Sequence, residues 1–420
     1  MREEFTARYW VESYEPLEKV AEVIAGEQSS GTFLALPGET PELKERSRAR
    51  VVAVRPLAEV PQPSLHSEQM ARRKPGAACM QGEIEIAFPV ANVGANLASL
   101  MATVAGNLFE LGEVTGLRLL DLDLPPAYAA RFPGPAFGIP GTRRLAGVAA
   151  GPFVGTIVKP SIGLTPQQTA EIVEALCTGG IDFIKDDELI ADPPYAPFDE
   201  RVKAVVPVLR RHADRLGRMP MYAFNVSGTP DEMRRRHDLV KAEGGTCVMA
   251  SVNWVGVSGL QDLRGHSQLP IHGHRNGWGL FGRSPVLGFA FEAYQKIWRL
   301  AGVDHLHVNG LRNKFWEPDD SVLRSARSCL QPWAGVQPIV PVFSSGQTAS
   351  LAGVTWSGLG SSDLMHLAGG GIVGHPMGIA AGVASMRQAW TAAMAGESLV
   401  EAGKRHPELQ AAFDAFGHPP

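Results

Sequence analysis

Gly155-Thr156-Ile157-Val158-Lys159-Pro160-Ser161-Ile162-Gly163-Leu164 is followed, after one helix-like stretch, by Gly179-Gly180-Ile181-Asp182-Phe183-Ile184-Lys185-Asp186-Asp187-Glu188. Each segment holds a short apolar run that ends at a lysine. Apolar strand, amphipathic helix and apolar strand in succession read as a βαβ unit of a parallel sheet. The alternation continues outward, with strand-like runs at 153–158, 182–185, 221–225, 247–252, 270–274, 305–308, 338–342 and 364–368. Eight runs allow closure, so the expected fold class is α/β with a (β/α)8 TIM barrel. On pattern alone a doubly wound open sheet stays open as the alternative.

The glycine- and proline-rich stretch 134–141 breaks both helical and strand periods and separates two regions. We expect an N-terminal α+β domain over 1–138 and the barrel over 139–420. In the first, residues 16–24 and 97–109 read as helices, and 51–54 and 83–88 as strands.

At 420 residues the chain exceeds the length at which one core usually stops growing. Apolar residues make up 45% and charged residues 20%, which suits a globular enzyme with ample core. A net charge of −4 gives no reason to expect nucleic acid or an acidic membrane as partner. Cys79, Cys177, Cys247 and Cys329 are widely spaced and form no CxxC pair, which argues against a zinc site or disulfide framework and suits a reducing cytoplasm. The N-terminus lacks the basic-then-apolar order of a signal peptide. No apolar stretch approaches the roughly 20 residues that span a bilayer.

Barrel enzymes carry their chemistry at the C-terminal ends of the strands, and the unusual residues collect there. Lys159 ends the first strand, Lys185 with Asp187 and Glu188 the second, His272, His274 and Arg275 the fifth, and His305 and His307 the sixth. Asp187 and Glu188 are hard oxygen ligands suited to Mg²⁺. Lys185 would join them if CO2 added to its neutral amine, because the carbamate is a third anionic oxygen ligand. Taken alone, this cluster reads as a surface turn in which one amine screens several acids. Alternate residues of a strand point the same way, so each HxH pair faces the barrel mouth or its interior, where a second metal site is also conceivable. Ser344-Ser345-Gly346 and Gly369-Gly370-Gly371 follow the seventh and eighth runs. Glycine there lets backbone N–H groups approach an anion, at the usual phosphate site of barrels.

The whole series resembles the large subunit of the RuBisCO superfamily: the GTIVKPSIGL segment, the DFIKDDE segment, His272-Gly273-His274-Arg275, Asp304-His305-Leu306-His307, Lys314, Ser344-Ser345-Gly346 and Gly369 to Pro376, all in the family's order. The resemblance implies a small ferredoxin-like α+β domain ahead of the barrel, Mg²⁺ on carbamylated Lys185, Asp187 and Glu188, and Lys159 as catalytic base or acid. It implies that His274 and His307 lie nearest a phosphorylated substrate, and that Ser344, Gly346, Gly369, Gly370 and Arg275 hold its anionic groups. Glu27-Gln28-Ser29-Ser30-Gly31-Thr32 and Val104 to Phe109 resemble segments that cross the family's dimer interface. The expectation is therefore a homodimer in which Glu27, Thr32 and Asn107 complete the partner's site.

Departures from the carboxylating pattern decide the expected activity. Ser161 stands where those members have a second lysine, Trp278 where they have a histidine, Phe33 where they have a tryptophan, and Gln347-Thr348-Ala349 where they have a histidine-rich stretch. The chain thus resembles a form IV RuBisCO-like protein that is not a CO2-fixing carboxylase. Such members act through enediolates of phosphorylated sugars. Lys314, in the loop after the sixth strand, matches a lysine that grips a carboxyl group, which favours chemistry on 3-oxo-isoapionate 4-phosphate. Ground-state gripping helps simple decarboxylation little, so the expected function is a transcarboxylase/hydrolase giving 3-phosphoglycerate and glycolate. The alternatives are 3-oxo-isoapionate 4-phosphate decarboxylation, isomerisation of methylthioribulose 1-phosphate, enolisation of 2,3-diketo-5-methylthiopentyl 1-phosphate, and sugar-phosphate binding without turnover.

Overall fold

The computed structural model describes residues 3–31 and 38–420. Four long strands come first: β1 (Glu4–Ser13), β2 (Arg50–Val60), β3 (Cys79–Pro89) and β4 (Val114–Asp123). Shorter strands follow: β5 (Phe153–Ile157), β6 (Phe183–Lys185), β7 (Met221–Asn225), β8 (Cys247–Ser251), β9 (Ile271–His274), β10 (Leu287–Phe289), β11 (His305–His307), β12 (Val340–Phe343) and β13 (Met365–Leu367). Eight of them, all but β10, close into a parallel barrel in the order β11-β12-β13-β5-β6-β7-β8-β9. The barrel is the expected one, and the open-sheet alternative falls away.

The chain forms two compact units. The first joins Met1–Phe132 with Gly277–Leu300 and Trp333–Val336; the second comprises Pro133–Asn276, Ala301–Pro332 and Gln337–Pro420. In the first, a mixed sheet runs β10-β4-β1-β3-β2, with β10 parallel to β4 and the other pairs antiparallel. The central strand β1 and its neighbour β4 were not among the expected strands. Phe5, Ala7, Tyr9 and Val11 alternate inward along β1, each almost fully buried, and Tyr9 Oη reaches Val104 O at 2.9 Å. Strand β2 extends six residues beyond the expected end at residue 54 and stays mostly exposed. Pro56 cannot donate to a ladder, and β2 takes the edge position such a residue tolerates. The expected helix over 97–109 ends at Ala105, and Asn107–Glu110 is a 3-10 turn.

The barrel strands are short and apolar because both faces are covered, one by helices and the other by the barrel interior. Phe153, Phe183, Met221, Met249, Val342 and Leu367 fill that interior. Two of the covering helices start with complete capping boxes, Thr165 with Gln168 and Thr229 with Glu232, each followed by a proline at the first helical position. Asp304, just before β11, is fully buried and accepts N–H bonds from Phe137 (2.6 Å), Gly138 (2.9 Å) and Ile271 (2.9 Å), with Arg264 Nη1 at 3.2 Å. It ties the helix that enters the barrel to β9 and β11.

Candidate active site

Lys185 ends β6 and is fully buried. Its Nζ donates to Asp186 O at 2.7 Å and lies 3.6 Å from Glu188 Oε2. Burial drives its pKa below the ordinary lysine value, against the opposing pull of Glu188, Asp187 and Asp186. The neutral amine, with its lone pair free, is the form that attacks CO2. Asp186 and Asp187 go separate ways. Asp186 accepts from Tyr222 Oη (2.6 Å), Asn225 N (2.9 Å) and Arg201 (3.3 Å), so its oxygens are spent inside the fold. Asp187 Oδ2 instead accepts from Lys159 Nζ at 2.7 Å, and Lys159 also reaches Ser161 Oγ at 2.6 Å. Ser161 therefore occupies the second lysine's position as a neutral partner of the remaining one.

The two HxH pairs stand on adjacent strands with His305 opposite His272. His272 Nε2 lies 2.9 Å from His307 Nε2, and His307 Nδ1 lies 3.0 Å from Ser344 Oγ. The rings of His274 and His307 are 4.3 Å apart. Asn276 N–H donates to His274 Nδ1 at 3.2 Å, which leaves the ring proton on Nε2, facing Glu188 Oε2 at 3.3 Å. Burial, with a smaller contribution from the neighbouring Lys185, pushes His274 down to about 4 although Glu188 pulls the other way. Burial works to raise the Glu188 carboxyl, but His274 and Lys185 beside it outweigh that and hold it below the usual carboxylate range. His272 and His307 are likewise pushed well down by burial and neighbouring imidazoles, so both are neutral near pH 7.

His272 and His307 bond to each other, His307 to Ser344 and His305 to Thr142, while His274 takes the Asn276 N–H and faces Glu188, so the four imidazoles do not converge as a second metal site. Among the described residues, a three-ligand group with metal spacing occurs at His237, Asp238 and His266. There Gln268 N–H donates to His237 Nε2, so the ring proton sits on Nδ1 towards Asp238 and the group is a hydrogen-bonded triad.

Three loops complete the mouth. Lys314 is exposed, its Nζ 5.3 Å from the centre of the Phe315 ring. Its backbone N–H reaches Ser345 O at 3.4 Å, and a Cβ built on Gly346 would touch the Lys314 side chain at 3.6 Å. Gly369 faces Lys159, with 3.4 Å from a built Cβ to the lysine Cε, and Gly370 has open space beside it. Arg275 is buried and its Nη2 donates to Glu317 Oε2 at 2.8 Å; the same oxygen accepts from Asn309 Nδ2 at 2.7 Å. Glu27 and Asn107 are exposed residues of the first unit. The Gln28 amide joins their turns, donating to Ala102 O and Thr103 O and accepting from Leu108 N at 3.2 Å. Thr32 and Phe33 lie outside the described residues.

Sequence reasoning missed Asn225, Glu317 and the part played by Asn309. Asn225 Nδ2 faces the carbonyls of Asp187 and Glu188 at 3.4 and 3.3 Å and shapes their turn. A polar residue closing the apolar run of β7 was a usable signal for it. Glu317 carried no such signal, since an acid in a loop usually lies in water.

This barrel, with a lysine, a second lysine and two acids at neighbouring strand ends, matches known proteins over its length. Residues 138–416 match the ribulose bisphosphate carboxylase large chain, catalytic domain, and residues 5–128 the N-terminal domain of the same chain. The chain belongs to the RuBisCO large-chain family. It is 56% identical to the 3-oxo-isoapionate-4-phosphate transcarboxylase/hydrolase of Xanthobacter autotrophicus, over 98% of this chain and 99% of that protein. It is 44% identical to the 3-oxo-isoapionate-4-phosphate decarboxylase of Rhizobium etli, over 98% of each. The crystal structure of a rubisco-like protein from Burkholderia fungorum superposes with a TM-score of 0.93 at 46% identity, covering 99% of this chain and 100% of that one.

Proposed function

We propose that this protein is a transcarboxylase/hydrolase of 3-oxo-isoapionate 4-phosphate, working through an enediolate and yielding 3-phosphoglycerate and glycolate. The observation that carries the reading is the placement of two ion pairs, Lys159 with Asp187 and Lys185 with Glu188, at adjacent barrel strand ends, with Glu188 facing His274, whose ring packs on His307 at the Ser344 loop. The name of the Xanthobacter relative supports the substrate.

The residues fit Mg²⁺: the buried Lys185 amine has its pKa lowered, as carbamylation requires, and the Asp187 and Glu188 carboxylates supply the remaining hard oxygens. Bound there, Mg²⁺ would polarise two neighbouring substrate oxygens and offset negative charge as it develops. Lys159, fixed between Asp187 and Ser161, gives or takes the proton at the reacting carbon. Ser344, Gly346, Gly369 and Gly370 offer hydroxyl and backbone donors to the phosphate, with His307 and Arg275 beside them. Lys314 grips the substrate carboxylate until the carbon–carbon bond opens to an enediolate and CO2, and stays over that CO2 while the neighbouring enediolate carbon attacks it and forms the new carboxylate. Water directed by His274 or Lys159 then cleaves the β-keto acid. The protein acts as a homodimer in this reading, with Glu27, Thr32 and Asn107 offered to the partner's mouth. Exposed apolar side chains in the segments that follow β5, β6, β8 and β11, namely Ile162, Leu189, Trp254 and Phe315, support a covering partner. The four cysteines are buried as thiols, which suits a cytoplasmic setting.

An NMR product assay with Mg²⁺, bicarbonate and 3-oxo-isoapionate 4-phosphate tests the reading. Glycolate with 3-phosphoglycerate supports it. A four-carbon ketose phosphate with CO2 would replace it with the decarboxylase activity named for the Rhizobium relative. An unchanged oxo acid would refute both.

A further inference from the structure

Gln347, in the loop after β12, sits between the loop after β11 and strand β13 and is 2% exposed. Its Nε2 donates to Leu311 O at 3.1 Å and to Ser345 O at 3.4 Å. Ser345 O is also the acceptor of the Lys314 backbone N–H. Its Oε1 faces His366 Nε2 at 3.1 Å. Trp390 Nε1, which only donates, reaches His366 Nδ1 at 2.8 Å, so the His366 proton is on Nε2 and points to Gln347. Every polar atom of this buried amide therefore has a partner, and the direction of each bond is set from the barrel interior outward.

The surroundings are shaped to this side chain. A Cβ on Gly310 would lie 2.0 Å from Gln347 Cδ, so the Lys314 loop can pack on the amide only because residue 310 is glycine. A Cβ on Gly371 would lie 2.7 Å from the Gln347 backbone O, which brings the short helix Gly369–Val373 after β13 against the same residue. Glutamate in this place would lose both donations and face two carbonyls with charge. Leucine would leave Leu311 O and the His366 N–H without partners, at a cost well above that of the bonds themselves.

We infer that Gln347 is a positioning residue: its amide ties the loops after β11 and β12 to strand β13 in one register and thereby sets where Lys314 stands over the mouth. The kinetic part of this inference rests on the role proposed for Lys314; the anchoring itself does not.

The test uses the full-length protein with Gln347→Glu, nearly the same shape without the donor, and Gly310→Ala, which displaces the amide without removing it. Amide hydrogen exchange of the peptide spanning 309–317 is expected to speed up in both variants, while exchange in the first unit stays as in the wild type. Turnover of the oxo acid should fall about 100-fold in kcat with KM moving less than about threefold, as for a misplaced catalytic group. In a Lys314→Ala background the same substitutions should cost less than about twofold further, because the residue they position is gone. Unchanged loop exchange would overturn the anchoring, and equal losses in both backgrounds would overturn its action through Lys314. If Lys314→Ala leaves turnover intact, the reading of Lys314 fails, while faster loop exchange still supports the anchoring.

Discussion

Lys159 Nζ and Asp187 Oδ2 stand 2.7 Å apart across the ends of two adjacent barrel strands. Lys159 is about one-third exposed and Asp187 is almost fully buried, so the acid is fixed and the amine reaches from it into the mouth. The pair couples the proposed acid–base residue to a proposed metal ligand. Lys159→Met should therefore lower kcat by about 10²–10⁴, the range for lost general acid–base catalysis. Mg²⁺ affinity measured by titration calorimetry should not fall, because Asp187 keeps its carboxylate. Loss of Mg²⁺ binding in this variant would instead make Lys159 a structural counter-ion.

Carbamylation has its own signature. With ¹³C-labelled bicarbonate and Mg²⁺, the wild-type protein should show a carbamate carbonyl resonance that disappears in Lys185→Met. Methionine suits the fully buried site in size and removes the amine. Persistence of the signal in the variant would place the modification on another amine.

Lys314→Ala should separate carboxylate handling from the earlier chemistry. Consumption of the oxo acid is expected to continue more slowly, with product shifting from glycolate towards CO2 and a four-carbon ketose phosphate. An unshifted product ratio would remove Lys314 from the transfer step.

Acid sensitivity follows from two imidazoles outside the reacting centre. Burial pushes both His305 and His366 down to about 3. Thr142 Oγ1 donates to Gly138 O and accepts from His305 Nε2, and Trp390 donates to His366, so each ring is bonded as the neutral form. Between pH 6.5 and 3 the unfolded chain binds more protons than the folded one. Stability is then full above about pH 6.5 and falls as pH drops, by at most about 1.4 kcal/mol per pH unit for each histidine. Urea unfolding of wild type and His305→Gln at pH 7.5 and 5.0 checks this: the variant should lose less stability between the two. Parallel losses would show that His305 does not titrate on unfolding.

Asp304→Ala should destabilise the barrel by about 3–5 kcal/mol in urea unfolding, since it strands the buried Arg264 guanidinium and three backbone N–H groups. A change under 1 kcal/mol would mean that water replaces the carboxylate.

Much of this protein was legible in its sequence because the signals are local. Eight apolar runs, each short and separated by a helix period, specify a parallel sheet with both faces covered, and strand ends in such a sheet mark the mouth. Lys159, Lys185, Asp187, Glu188 and the two HxH pairs could be placed there by counting. The sequence also set Asp186 and Asp187 side by side just past the end of β6. Which of the two was spent inside was decided by Tyr222 and Asn225 of β7, whose bonds to Asp186 no local period reveals. Strand β1 became central only by pairing with β3 and β4, more than 65 residues away along the chain. Arg275 with Glu317, and Gln347 with Leu311 and His366, are likewise meetings of separate segments of the chain. The sequence by itself determined the elements and the kind of chemistry, because backbone period and side-chain type are properties of neighbouring residues. The tertiary structure alone decided which polar groups satisfy one another and which remain for a substrate, because burial makes every unpaired group costly and only closure of the barrel selects the partners.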